Sequence, residues 1–250
     1  MEIKRRKFQG VLNILSFNRH FYVIGLIVLA LSMLGLMFIE VSDFMISIVV
    51  AAFLYGLIIP LVVSAYVYDF SGYYDFKWLK KFDLTDQKPK QIVNINAGFD
   101  ETSFILKSNF PEATLKVFDF YNAKQHTEPA IVRARKVSMV YPDTSQIKSD
   151  EIPLDNQSVD LIFLLSAAHE IRTHKEKVVF LKECHRICKP SGKLITVEHL
   201  RDVPNFLAFT IGFTHFFSRK AWKKAFREAG FSSFEERKFT PFMSIFTCRP

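Results

Sequence analysis

IPLDNQSVDLIFLLSAAHEI, residues 152–171, and FLKECHRICKPSGKLITVEHLRD, residues 180–202, set the architecture of the chain. Val159 to Leu165 is an apolar run of strand length. In HKEKVVFLKECHRICKPSG, residues 174–192, apolar positions recur at spacings of three and four until Pro190 stops the helix. A second apolar run, Lys193 to Val197, follows at once. Strand, helix and strand in that order read as a unit of parallel sheet with helices on its faces.

The same alternation extends outward. Gln91 to Ile95, Leu115 to Phe118 and Val137 to Tyr141 are strand-like runs on the amino-terminal side. On the other side, SRKAWKKAFREAGF, residues 218–231, reads as a helix with Ser218 as N-cap and Gly230 as its stop. Phe234 to Phe239 and Phe242 to Thr247, joined at Thr240 and Pro241, predict an antiparallel hairpin at the sheet edge. The expectation is an α/β domain over residues 91–250, with a mostly parallel sheet of seven strands.

Before it, hydrophobic residues, 49% of the 250, are concentrated in two stretches. Phe21 to Ile39 and Phe44 to Tyr68 carry no charge, and each is long enough to cross a hydrocarbon layer of about 30 Å. A buried core helix would show a polar stripe, and a cleavable signal would not be followed by a second apolar run. Residues 1–68 are therefore expected to form a membrane-spanning helical hairpin. Lys4, Arg5, Arg6, Lys7 and Arg19 precede it, Glu40 and Asp43 lie in its turn, and Lys77, Lys80 and Lys81 follow it. By the charge bias of membrane proteins, both ends and the α/β domain are expected in the cytoplasm, at the inner membrane of a bacterial cell. Residues 69–90 read as a connector, aromatic in DFSGYYDFKWLKKF and turn-rich in DLTDQKPK.

The net charge of +8 is concentrated beside the spans. It fits attraction to anionic lipid, and no nucleic-acid partner is expected. Three cysteines are too few for a disulfide framework, and Cys184 and Cys188 have too few companions for zinc, so packing is their expected role. Oligomeric state is not legible.

In open parallel sheets, ligands bind beyond the carboxyl ends of the strands. IVNINAGFDETS, residues 92–103, places Asn96, Ala97 and Gly98 where a backbone must approach a ligand. Asp119 ends the second strand, suited to ribose hydroxyls, and Asp143 follows the third, suited to an adenine amine. A solvated loop acid is the alternative at both positions.

Ile152, Pro153, Asp155, Asp160, Glu183, Arg186, Lys189, Pro190 and Gly192 match, residue by residue, the central half of class I S-adenosylmethionine-dependent methyltransferases. Val159 and Ser191 depart mildly. Over about residues 91–250 the chain most resembles the broad group, methyltransferase type 11, that includes the quinone-biosynthesis C-methyltransferases. That group carries acid-x-Gly-x-Gly-x-Gly in its first turn. Here Asn94, Ala97, Gly98 and Asp100 are closer to the turn of the leucine carboxyl methyltransferase-like enzymes, with Asn96 where the first glycine of that turn would stand. Asparagine tolerates positive φ, so the turn can persist. The resemblance implies a Rossmann-like fold and S-adenosylmethionine as cofactor, held by Asn94, Asn96, Ala97, Gly98, Asp100, Asp119, Asp143 and Ser166.

Methyl transfer requires alignment of acceptor and methyl group and, for O or N acceptors, removal of a proton. His169 follows the fourth strand; Glu198, His199, Arg201 and Asp202 follow the fifth. His199 is the first candidate for general base, with His169, Glu198 and Arg201 beside it; a polar network closing the sheet end is the alternative for His199 and Arg201, and a structural place at a helix N-terminus is the alternative for His169. VPNFLAFTIGFTHFF, residues 203–217, is too apolar for a free loop and too short for a span, and is expected to roof a lipophilic acceptor site facing the bilayer, with ordinary core packing as the alternative. The expected function is a membrane-anchored methyltransferase acting on a small hydrophobic or lipid-like acceptor. Two further readings stay open: another transfer from the same sulfonium, and a catalytically degenerate membrane scaffold.

Overall fold

The computed structural model of the chain describes residues 5–82 and 88–250. Lys4 and most of the turn-rich DLTDQKPK segment lie outside them, as does the side chain of Lys81.

Three helices come first: α1 (Gln9–Phe17), α2 (Arg19–Leu36) and α3 (Asp43–Ala65). Ser42 caps α3 by accepting a hydrogen bond from the Met45 amide, and a π-helical turn, Tyr66–Phe70, extends it. Arg19–Leu36 and Asp43–Phe70 are long and apolar enough to cross a membrane. The most apolar 18-residue window of each has 0% of its residues buried, which a core helix would not show.

The α/β part runs β1 (Gln91–Asn96), α4 (Ser103–Asn109), β2 (Thr114–Asp119), α5 (Pro129–Val137), β3 (Ser145–Gln146), β4 (Val159–Leu165), α6 (His174–Ile187), β5 (Cys188–His199), α7 (Val203–Phe209), α8 (Arg219–Glu228), β6 (Ser233–Lys238) and β7 (Met243–Arg249). Seven strands form one sheet in the order β3-β2-β1-β4-β5-β7-β6. All neighbours are parallel except β7, which runs antiparallel to β5 and β6 as the edge hairpin requires. Thr173 and Ser218 cap α6 and α8, and Gly230 stands at φ 103° just beyond α8.

Val137 to Tyr141, expected as the third strand, is not one. Val137 is the last residue of α5, and Met139 and Val140 are exposed. Pro142 has no amide to donate, and Asp143 sits at φ 60°, so the segment bends before it can pair. The strand that does form is Ser145–Gln146, paired with Phe118 and Asp119 at the edge. Asp143 therefore precedes the third strand instead of following it.

The residues that made the chain recognisable hold this scaffold together. Asp160 accepts from the amides of Lys90 and Gln91, both at 2.9 Å, and from Lys189 at 2.7 Å, tying the start of β1 to β4. Glu183 accepts from the Ile152 amide at 3.0 Å, while Arg186 donates to the carbonyls of Ile152 and Leu154. Together they clamp the loop before β4 onto α6. A Cβ on Gly192 would lie 2.9 Å from the Val159 carbonyl oxygen, so only glycine lets β5 approach β4 there.

Both faces of the sheet are covered. On one, Phe180 and Leu181 of α6 and Trp222 and Phe226 of α8 pack with Val93, Ile95, Ile162 and Leu164. On the other, Val67, Tyr73, Phe76, Trp78 and Leu79 pack with Ile92, Leu161, Phe163 and Ile195. Residues 73–79 of the connector thus supply core to the domain. Cys184, Cys188 and Cys248 are free and buried, with thiols pushed up by burial.

Candidate active site

A cavity of about 880 Å³ opens beyond the carboxyl ends of β1, β4 and β5. Phe21 and Tyr22 of α2, and Leu57 and Pro60 of α3, form its apolar side. Helix α1 lies across the turn after β1. Asp69 receives the Gly10 and Val11 amides at 2.7 and 2.9 Å, capping α1 from the end of α3. Glu101, just past the turn, is held by Arg5 at 2.7 Å, Gln9 at 2.6 Å and Asn13 at 3.2 Å. Phe17 packs edge-on against Phe99.

The turn keeps its shape through local hydrogen bonds. Asn96 Oδ1 accepts from the Gly98 amide at 2.9 Å, and Gly98 stands at φ 88°. Asp100 Oδ1 accepts from the amides of Thr102 and Ser103, and Asn94 donates to the hydroxyls of the same two residues, so Asn94 and Asp100 brace the entry to α4. Asn94, Asn96, Ala97 and Ser166 line the cavity, whereas Gly98, Asp100, Asp119 and Asp143 do not. Ser166 has φ 53°, an unusual backbone for a non-glycine residue, at the end of β4. The carboxylate of Asp119 is taken: Arg135 binds its Oδ2 at 2.6 Å, stacks over Tyr121 and crowds the space above Gly98. Asp143 is exposed and apart from the cavity.

At the far side, His199 and His169 both line the cavity but in opposite charge states. Burial pushes His199 down to about 4, so the ring is neutral at neutral pH. Its Nδ1 stands 3.0 Å from the Phe242 carbonyl oxygen, which only accepts. Nε2 is therefore the acceptor, and Tyr68 Oη, 2.8 Å away, donates to it. Burial also opposes a charge on His169, but Glu198 and Glu170 outweigh it and hold the ring at about 10. Glu198 Oε2 lies 2.6 Å from His169 Nδ1, and Glu170 Oε1 lies 3.4 Å from Nε2. Glu170, despite a burial that favours its neutral form, is kept below the ordinary carboxylate range by His169. Glu198 is buried behind His169. Arg201 points away from the cavity and donates to the carbonyls of Thr214 and Phe216, pinning the apolar insert.

That insert forms α7 and a 3-10 turn, Thr210–His215. Phe209 and Phe216 face the cavity and flank His199, the second ring stacked at 5.0 Å. Phe206 and Phe213 pack on each other outside it, and Tyr55 of α3 donates to the Leu207 carbonyl at 2.6 Å. Sequence reading missed Tyr68, Tyr73, Glu170 and His215. Glu170 and His215 stood beside residues already noted, but nothing local pairs segments 45 residues apart. Tyr68 and Tyr73 read as apolar-span and connector aromatics.

Residues 116–196 match the sequence model of the methyltransferase domain family. No curated protein matches the chain. Among solved structures, human N-acetylserotonin methyltransferase in complex with S-adenosylmethionine superposes with a TM-score of 0.52 at 16% identity, over 78% of this chain and 55% of that one. A candidate O-methyltransferase from Nostoc punctiforme gives 0.52 at 14%, over 78% and 60%. PigF with S-adenosylhomocysteine gives 0.51 at 16%, over 76% and 60%. The chain thus spans between 55% and 60% of the length of these three proteins. The α/β part has the Rossmann-like fold of the class I S-adenosylmethionine-dependent methyltransferases.

The turn fits that cofactor in part. Small residues and a positive-φ glycine leave the strand end open at Asn96 and Ala97, and Asp100 Oδ2 is buried without a hydrogen-bond partner. The Asp119 carboxylate is closed off by its pair with Arg135, whose side chain is 41% exposed.

Proposed function

We propose that the chain is a membrane-anchored methyltransferase that uses S-adenosylmethionine to modify a small hydrophobic or lipid-like acceptor. The cavity carries this reading: at about 880 Å³ it falls within the usual range for small-molecule sites, and it runs from the turn after β1 to the apolar sides of α2 and α3. An acceptor from the bilayer would enter along those helices. Basic residues on the outer flanks of the two helices and acids between them favour cytoplasmic ends.

Asn96, Ala97 and Ser166 border the place for the cofactor, and Asp119 is the acid for its ribose. The bound cofactor supplies an electrophilic methyl group. For an oxygen or nitrogen acceptor, the proton passes to Tyr68 as the Tyr68 proton passes to His199 Nε2; the 2.8 Å contact sets that route, although burial, which holds the ring at about 4, makes His199 a weak base. His169, already protonated, does not suit a base. It fits the role of a fixed positive charge beside the acceptor.

The testing experiment is calorimetric titration of the detergent-purified chain with S-adenosylmethionine and S-adenosylhomocysteine. Micromolar binding, followed by transfer of labelled methyl into a lipid extract, is the expected result. A folded sample that binds neither compound would favour the scaffold reading, which the closed Arg135–Asp119 pair supports.

A further inference from the structure

We propose that His169, Glu170 and His215 form a site for a divalent first-row transition-metal ion in the cavity wall. One ligand atom from each lies within 4.8 Å of the others, and among the described residues no other three histidine, cysteine or acidic side chains converge in this way. Two imidazoles and one carboxylate are a donor set that suits Zn²⁺, Fe²⁺ or Co²⁺ and leaves coordination positions open.

Ligands about 2.0–2.1 Å from an ion stand about 3.3 Å apart in a tetrahedron. His169 Nε2 and Glu170 Oε1, at 3.4 Å, already match that spacing. The His215 nitrogen, at most 4.8 Å from the other two ligand atoms, has to close by no more than about 1.5 Å.

The surroundings resemble those of a metal centre. The buried carboxylate of Glu198 grips His169 Nδ1 at 2.6 Å, which fixes the ring with Nε2 beside Glu170, so that a bound ion would take the place of the Nε2 proton. Arg172 donates to the carbonyls of both His169 and His215, at 3.0 and 2.8 Å, and so binds together the two segments that carry the histidines. Glu128 Oε2 lies 3.4 Å from His215 Nδ1. Among the described residues, the carboxylates of Glu170, Glu198 and Glu128 stand around this group, with the guanidinium of Arg172 and, beside Glu198, the amine of Lys177, so a dication meets compensating charge. Facing the cavity, the ion would bind an acceptor oxygen and ease loss of its proton. That role rests on the methyl-transfer reading, whereas the binding does not.

The test is titration of the tag-free, detergent-purified full chain with Co²⁺ alone, with no methyl donor present. One equivalent should bind with visible d–d absorption, and Zn²⁺ should displace it. Glu170→Gln and His215→Gln should each abolish the absorption, and Glu198→Gln should weaken binding about 10–100-fold. A folded wild type without uptake overturns the proposal, even where a variant fails to fold. Unchanged uptake in both ligand variants overturns it as well, because the ion would then sit elsewhere. Co²⁺ uptake without methyl donor binding, or the reverse, separates this site from the proposed reaction.

Discussion

Two side chains test the electrostatics at the scale of single residues. Arg135 and Asp119 form a pair with side-chain exposures of 41% and 9%, a setting in which an ion pair contributes about 1 kcal/mol. If the cofactor must displace Arg135, Arg135→Ala should tighten S-adenosylmethionine binding by up to about fivefold, and Asp119→Ala should weaken it; calorimetry on both variants reads the two signs. Lys177 is buried over the rings of Phe217 and Trp222, at 3.0 and 4.3 Å, and its ammonium has no hydrogen bond. Burial lowers it to about 7 from 10.5. The unfolded chain therefore binds the proton that the folded one lacks between those values, and this group adds stability as pH rises through them. Lys177→Met should gain stability over wild type most clearly below pH 7, with the gain fading by about pH 10.5. Melting curves of both proteins from pH 6 to 10.5 measure the difference, and a constant gap would contradict the assignment.

Among the elements, the junction of β4, α6 and β5 is the most constrained. Gly192→Ala would drive a Cβ to 2.9 Å from a backbone oxygen and should cost about 1–3 kcal/mol. Arg186→Ala removes bonds to two carbonyls and a carboxylate and should cost a similar amount, about 1–3 kcal/mol, partly offset by its exposure to water. Neither residue lines the cavity, so both variants should lose melting temperature while keeping ligand affinity. The apolar insert should divide: Phe209→Ser alters the cavity beside His199, while Phe206→Ser, half exposed and outside it, should leave ligand binding unchanged.

For the whole molecule, the segment that follows the two apolar helices shares an interior with the α/β domain. Val67, Tyr73, Phe76, Trp78 and Leu79 are at most 2% exposed and cover a face of the sheet. At about 1.5–3 kcal/mol for each buried side chain, their loss amounts to roughly 10 kcal/mol, as large as the net stability of a typical domain. A chain beginning at Gln91 should therefore aggregate or lack a cooperative melt. A monomeric, cooperatively folding fragment would show that the two parts are separable.

The parallel sheet, its edge hairpin, both apolar helices and the capped α6 and α8 were legible in the sequence. Periodicity, caps and breakers act within a few residues, and the motif of Asp160, Glu183, Arg186 and Gly192 records how neighbouring elements must be fastened. The short third strand escaped because Val137 to Tyr141 has strand composition, yet the turn at Pro142 and Asp143 overrides it. The candidate site was half legible: loops at strand ends pointed to Asn96, His169 and His199. Only the tertiary structure brought Tyr68 to His199, Arg135 to Asp119 and His215 to His169. Those contacts cross the chain between segments that carry no local signal of one another, and the burial they create decides which histidine holds its proton.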